Sequence, residues 1–445
     1  MNDTPIVSPQ GDPLTDACYP TQFLRQNNRE LSSRRPPVRD EQPGIESVAD
    51  SAPAGIDSAL MGRLNRLQQF SILAIRIDAP DDQPKTFDEQ VRPAIEELLR
   101  KAEIKDQAFW FTWEPSLYMC VIADRPADSA LEIARSFQVE LALSRPETVT
   151  IGVATFPLIS FNRSQSLINA RKALEHAAFF GPNSAVIFDA VSLNISGDQH
   201  FQTGEMGAAI AEYRAALRLD PHNVNVINSL GICMAAIHDL AAARESFQKA
   251  LAIDPNEAMA HFNLGRLHQI EEDLPAALSC FEHAFANKPE SFEINLHLGA
   301  VLVRLERWPE ARPYLETAIT LRGDSGAAFC AMGRCLSGLG QLAEAIKAYE
   351  KAAKLNPNDA AALSALGTLY ADKGENKDIC LTFCRQSVLL SPRNGLFRFR
   401  LAALYQKYDL LDEALAEYEQ AAALGYDSTR RIDEVRRLLR PEISA

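Results

Sequence analysis

Between Val224 and Glu257 the apolar positions fall on two helical stripes. Ile227, Leu230 and Met234 share one face, and after Asp239 a second run follows through Ala243, Phe247 and Ala250. Pro255 ends that second run, because it lacks an N–H and clashes with the preceding turn. The same double stripe returns every 34 residues. Gly197, Gly231, Gly265, Gly299, Gly333 and Gly367 keep the step, as do Ala209, Ala243, Ala277, Ala311 and Ala345, and Pro221, Pro255 and Pro289. Such a period predicts a solenoid of helix pairs, in which no pair buries its apolar face alone and neighbours do it for each other. Seven units fill the C-terminal half of the chain. Glycine and alanine recur where two antiparallel helices must come close, and Phe247 is expected to fill the space against the next pair.

The departures from the pattern are specific. Gly323 replaces the proline of the fourth unit and is expected to loosen that turn. The sixth unit carries one extra residue, so that Cys380, Cys384, Ser387 and Pro392 arrive one place late. The seventh has Ala402 in place of glycine and no proline near Tyr426. From Ser428 to Leu439 the chain is charged on one side, with Ile432, Val435 and Leu439 on the other, which fits a terminal capping helix.

Residues 69–189 follow a different pattern. Phe70–Ile77 is a continuous apolar run and predicts a buried strand. Phe87, Val91, Ile95 and Leu98 mark a helix. Trp110–Trp113 and Leu117–Ala123 predict two short strands joined through Glu114-Pro115-Ser116. Leu131, Ala134, Phe137 and Leu141 mark a second helix, Val149–Phe156 a strand, Leu167, Ala170 and Leu174 a third helix, and Ala185–Phe188 a last strand. The order β-α-β-β-α-β-α-β implies one sheet with helices packed on a face. Ahead of it, Leu60, Leu64 and Leu67 share one face of a linker helix over 57–68, which either leads into the sheet domain or mediates weak pairing. Residues 1–56, rich in Pro, Ser, Asp and Arg, read as a disordered arm. The expected domains are thus the arm (1–56), the linker helix (57–68), the α/β domain (69–189), seven all-α helix pairs (190–428), and a capping helix with its tail (429–445).

Composition narrows the function classes. The formal net charge is −14 and the acidic excess is spread along the chain. No segment carries the basic stripe that phosphate neutralisation needs, so nucleic acid is not an expected partner. No apolar run of about 18 residues is present, so no membrane span is expected. MNDTPIVSPQGDPL does not read as a signal peptide. The eight cysteines are scattered and read as reduced thiols of a cytoplasmic protein. Cys380 and Cys384, four apart on one helix face, read either as metal ligands or as packing residues; no nearby His or Cys completes a ligand set, which favours packing.

The repeat resembles the tetratricopeptide repeat (TPR). That pattern has leucine-glycine in its first helix, alanine, aromatic and alanine in its second, then proline. Here it reads Leu230-Gly231, Ala243, Phe247, Ala250, Pro255; then Leu264-Gly265, Ala277, Phe281, Ala284, Pro289; and Met332-Gly333, Ala345, Tyr349, Ala352, Pro357. The resemblance runs from about Ala190 to Ser428. It implies a non-catalytic scaffold that binds a protein or peptide on its concave face. By the family's register the first helices offer Asn194, Asn228, Arg266, Gln269, Arg304, Arg334 and Lys407 to that groove. A basic minority in an acidic chain points to an acidic or C-terminal peptide, because the arginine fork donates two parallel hydrogen bonds to a carboxylate. The alternative is that these are solvated surface residues. Asn194 with Asp198, and Asn228 with Ile232, do not reproduce the carboxylate clamp of chaperone-binding TPR proteins. The asparagine ladder of the sugar-transferase TPRs is also absent, the corresponding column reading Ile195, Ser229, Asn263, His297, Ala331, Ala365.

The middle domain resembles the GGDEF domains of diguanylate cyclases. Phe70–Asp78 is similar to their first strand, Thr148-Val149-Thr150-Ile151-Gly152-Val153-Ala154 to a later one, and Ala170–Leu174 through Gly181-Pro182-Asn183 and Val186–Asp189 to their closing helix and strand. The family joins two GTP molecules with the help of two metal ions. Against its pattern, Arg76 stands at the metal-binding aspartate and Trp113-Glu114-Pro115-Ser116-Leu117 at the signature hairpin. Its glycines, which let the backbone approach the nucleotide, are missing, and Ala178 occupies the place of a phosphate-binding lysine. Glu114 reads as a residual acid or, more simply, as a hairpin surface charge. The resemblance therefore implies a degenerate, non-enzymatic domain with no cofactor and no metal, in a bacterial protein. Two alternatives stay open: a nucleotide-sensing adaptor and an active diguanylate cyclase. Partner identity and oligomeric state are not legible in the sequence.

Overall fold

The computed structural model describes residues 58–78, 93, 95–97, 100, 107–114, 116–144, 147–159 and 161–439. The arm at 1–56 lies outside these residues, as does most of the helix expected around Phe87–Leu98, of which Ile95 is helical and fully buried. The chain divides into two compact units, with a break between Ile253 and Asp254.

The first unit begins with helix α1 (Ser58–Arg66), then β1 (Phe70–Asp78), β2 (Ala108–Glu114), β3 (Leu117–Ala123), α2 (Ala127–Ser144), β4 (Thr148–Phe156), α3 (Arg163–Ala178) and β5 (Ala185–Ile187). The sheet order is β2-β3-β1-β4-β5, antiparallel except for the last pair. Helices cover both faces of this sheet, where the sequence reading placed them on one. The reason is compositional: β1 and β3 are apolar at almost every position, so each face needs a cover. Leu73, Ile75, Tyr118, Cys120, Ile122 and Val153 pack under α2 through Ala130, Ala134 and Phe137. Ile72, Ala74, Met119, Val121 and Ala154 pack under α3 through Leu167, Ala170 and Leu174. Gly152 permits the second contact, since a Cβ there would lie 2.2 Å from both the Ala170 carbonyl oxygen and the Leu174 nitrogen. The α1 face of Leu60, Leu64 and Leu67 joins this same cluster.

That cluster does not stop at the expected boundary near 190. It continues into α4 (Ala190–Gln202), α5 (Met206–Leu219) and α6 (Val224–Ala236) through Leu193, Ala209, Tyr213, Ala216, Val226 and Cys233, and α7 (Leu240–Ile253) completes the unit. Lys172 of α3 donates to both carboxylate oxygens of Glu212 on α5 at 2.7 Å, each side chain mostly buried.

The second unit contains α8 (Ala258–Ile270), α9 (Leu274–Asn287), α10 (Phe292–Arg304), α11 (Trp308–Leu321), α12 (Gly326–Gly338), α13 (Leu342–Leu355), α14 (Ala360–Lys373), α15 (Lys377–Leu390), α16 (Gly395–Lys407), α17 (Leu411–Ala423) and α18 (Thr429–Leu439). From α4 onward the helices are antiparallel pairs. In each of six pairs the small residue of the first helix lies under a side chain of its own second helix. A Cβ on Gly231 would stand 2.5 Å from the Phe247 ring, so that ring packs against its own first helix; the equivalent ring of the third pair, Phe281, also lies 5.7 Å from His297 of the next pair. In the sixth pair Cys384 takes the aromatic place: a Cβ on Gly367 would meet its Sγ at 2.4 Å. The extra residue there lengthens α14 by one, and the helix closes directly on left-handed Gly374. Val435 of α18 is fully buried, with Ile432 and Leu439 packed beside the same core.

Two further columns repeat with the pairs. Each first helix starts at a side chain that accepts from a backbone N–H: Asp189, Asn223, Glu257, Ser291, Ser325, Asp359 and Asn394. Each turn within a pair holds one residue at positive φ: Gly204, His238, Glu272, Glu306, Gly340, Gly374 and Asp409.

Candidate functional site

The first helices of the pairs face one another along the stack. In the first unit α4 touches α6; in the second α10 touches α12 and α14 touches α16. The second helices make no comparable contact among the described residues, so the first helices lie on the inner side of each stack. Polar side chains cross that inner side from one first helix to the next.

The basic residues of the second unit differ in what they already hold. Arg304 is almost fully buried and donates to Glu272 in the preceding pair. Lys407 donates to the Ala371 carbonyl at 2.6 Å and pairs with Asp372 at 3.2 Å. Arg400, absent from the sequence-derived set, donates to the Ser364 hydroxyl at 3.3 Å. Arg334 is partly buried, and both it and Arg400 act electrostatically on the buried Tyr349 phenol. Arg266 is partly buried and makes no hydrogen bond or ion pair among the described residues; the loss of water around it holds its guanidinium below its ordinary value. His297 is buried beside it, edge-on to Phe262 at 5.2 Å and near Phe281 at 5.7 Å, and its Nδ1 bonds Gln269 Oε1 at 3.0 Å. Burial first, and then the Arg266 charge, lower the His297 pKa well below its ordinary value, so the ring is neutral near pH 7.

The remaining two sequence candidates lie in the first unit. Asn194 donates to Asp198 at 3.2 Å, Tyr213 donates to the same carboxylate at 2.7 Å, and the buried Asn194 Oδ1 has no partner. Burial raises the Asp198 pKa, and the Tyr213 bond opposes that shift. Asn228, one repeat on, is partly buried on α6.

On the sheet, Arg76, Glu114 and Asp78 are each tied up internally. Arg76 pairs with Glu175 at 3.3 Å and Glu114 with Arg171 at 3.8 Å. Asp78 accepts from Thr148 at 2.9 Å, Thr150 at 2.7 Å and the Asn183 backbone N–H at 2.9 Å. The Cys384 thiol, pushed up to about 12 by burial, points to the Ser364 carbonyl at 3.7 Å, while Cys380 faces the Glu375 carbonyl at 3.9 Å. Among the described residues no three His, Cys, Asp or Glu side chains are grouped to hold a metal ion, and no helix is long and apolar enough to cross a membrane.

TPR family profiles match residues 197–236 and residues 290–358. Similar solved structures include YrrB, described as a TPR protein with an unusual peptide-binding site (26% identity, covering 40% of this chain and 92% of that one, TM-score 0.36). A tetratricopeptide repeat protein from Parabacteroides merdae is 17% identical, covering 56% of this chain and 98% of that one, with a TM-score of 0.43. PilF of Pseudomonas aeruginosa is 20% identical, covering 50% and 96%, with a TM-score of 0.43. No curated protein matches the chain in sequence. The helices of both units are TPR-like where the profiles match, and a small mixed sheet precedes them in the chain.

Proposed function

We propose that this chain is a non-catalytic scaffold of the bacterial cytoplasm that holds a polypeptide partner on the inner face of its helix pairs. The observation that carries this reading is the inner face of α8–α16. It gathers Arg266, Arg334 and Arg400 in a protein whose net charge is −14. Partners with exposed carboxylates complement that face. The sheet enters this reading as a degenerate relative of the GGDEF fold, retained for packing. Its strand order and the Gly152–α3 contact support the kinship. The Arg76–Glu175 pair and the three donors on Asp78 support the loss of its metal chemistry.

The test has two arms. Partners captured from a bacterial lysate by the full chain are identified by mass spectrometry, and the contact is mapped by hydrogen exchange; protection on α8, α10, α12, α14 and α16 is expected. Protection confined to the second helices overturns the reading. In the other arm, GTP with Mg²⁺ or Mn²⁺ is expected to give no cyclic dinucleotide above a no-protein control. Turnover abolished by Glu114→Ala would restore the enzyme alternative.

A further inference from the structure

Arg266 and Gln269 lie one turn apart on α8, and both present donors without acceptors. The Arg266 guanidinium has no partner among the described residues. Gln269 spends its Oε1 on His297 Nδ1 at 3.0 Å, which leaves its NH₂ group unused. Among the described residues no acidic side chain pairs with Arg266. His297 is neutral, Phe262 and Phe281 are apolar, and Glu272, in the turn that follows α8, is engaged by Arg304. A cation partly removed from water and left unpaired is costly, which is why folded proteins normally give such a group a counter-ion. The set is matched by an acceptor-only, planar, negatively charged group. A carboxylate meets that description: two parallel N–H bonds from Arg266 and a third from the Gln269 amide would satisfy both of its oxygens.

We propose that Arg266 and Gln269 form a carboxylate-binding site on the inner face of α8, taking either an Asp or Glu side chain or the terminal carboxylate of an extended peptide. This rests on the inner-face reading above and narrows it. Arg304 and Lys407 drop out as ligand contacts because Glu272 and Asp372 already neutralise them.

The test uses the full chain with arginine side chains labelled for NMR, and three hexapeptide probes. One is all-glutamate with both ends blocked, one all-glutamine with a free C-terminus, and one all-glutamine with both ends blocked. The Arg266 Nε–Hε signal, identified by its loss in Arg266→Gln, is expected to move with at least one of the first two probes and not with the third. Which of the two moves it tells a side-chain from a terminal carboxylate. Arg266→Gln is expected to weaken that probe at least about tenfold, and Gln269→Leu severalfold, while Lys407→Gln leaves it within about twofold. An Arg266 signal still at millimolar concentrations of both carboxylate probes overturns the proposal, as does an equal response to the blocked glutamine peptide. If the blocked glutamine peptide moves backbone signals of the first helices while Arg266 stays still, only the carboxylate site is lost. If no probe touches those helices, the inner-face reading loses its support as well.

Discussion

The Phe281 ring lies directly over Gly265: a Cβ on residue 265 would stand 2.8 Å from the ring's Cε1 and 2.9 Å from Cδ1. No real Cβ sits that close, so α8 and α9 hold their spacing only while residue 265 lacks a side chain. Gly265→Leu is therefore expected to destabilise the second unit by about 1–3 kcal/mol, the usual cost of overpacking a filled core. Gly207, exposed on α5 with nothing within 4 Å of its virtual Cβ, is the control. Gly207→Ala is expected to be neutral or to gain up to about 1 kcal/mol of helix propensity. Urea denaturation of both variants checks the pair; an unchanged midpoint for Gly265→Leu contradicts the packing described.

Glu306 occupies the left-handed turn position of the fourth pair, at φ 57°, where the first, fifth and sixth pairs have glycine. Its side chain is exposed. A non-glycine residue in that conformation costs about 1–2 kcal/mol, while glycine adds unfolded-chain entropy of about 0.5–1 kcal/mol. Glu306→Gly is thus expected to stabilise by up to about 1 kcal/mol. Glu306→Val is expected to destabilise, because branching at Cβ makes the left-handed turn worse. A loss of stability in the glycine variant would show that Glu306 contributes more than its backbone angle.

The sequence exposed those parts of the fold that repeat with one residue type. The columns of Gly231 and Ala243 recur almost unchanged because neither place has room for a larger side chain, so their period is visible in the letters. The capping column was not read, since Asn223, Glu257, Ser291 and Asp359 do one job with different side chains. The turn column was hidden for the same reason, His238 and Glu272 standing where glycine would serve. Arg400 was passed over because its column, Ile195, Ser229, Asn263, His297, Ala331 and Ala365, holds no other arginine or lysine. The Arg304–Glu272 pair joins neighbouring turns, and only the stacked helices bring the two together. That contact takes Arg304 out of the set the sequence had offered to a ligand.

A repeat in which each unit contacts mainly its neighbours would let residues 190–445 fold by themselves. The core of the first unit runs across position 190, however, and Leu193, Tyr213 and Ala216 share it with Ala74, Ala170 and Leu174. A fragment beginning at Ala190 is expected to expose this surface. Its α4 and α5 amides then exchange rapidly, while those of α10–α15 keep their protection. It is also expected to bind a dye for exposed apolar surface more strongly than residues 58–445. Glu212→Ala in the full chain is the milder version, leaving the mostly buried Lys172 donor without its acceptor at a cost of about 1–3 kcal/mol. Full protection of α4 and α5 in the fragment would show that the repeats need no support from the sheet.

His297 links the proposed site to acidity. In the folded chain it stays neutral well below its usual pKa of 6.5, through burial and then through the Arg266 charge; unfolded, it takes up a proton below about 6.5. The unfolded state therefore binds more protons than the folded one in the window below 6.5. Stability contributed by the neutral ring is complete above that value and is lost as pH falls. The slope approaches about 1.4 kcal/mol per pH unit while the folded ring remains neutral. Other histidines and the carboxylates titrate too, so the informative quantity is the difference between variants. His297→Gln, which keeps an amide opposite Gln269, is expected to flatten the stability profile between pH 6.5 and 5 relative to wild type, whatever it does to stability at pH 7.5. Arg266→Gln removes one of the two causes of the shift. It is expected to raise the folded-state pKa of His297, so that the wild-type slope levels off at a higher pH. The His297 side-chain NMR signals, followed across the same range, locate that pKa directly. Parallel profiles for wild type and His297→Gln would mean that the ring already titrates normally in the folded chain, and that Arg266 and His297 are not the coupled, water-poor pair described.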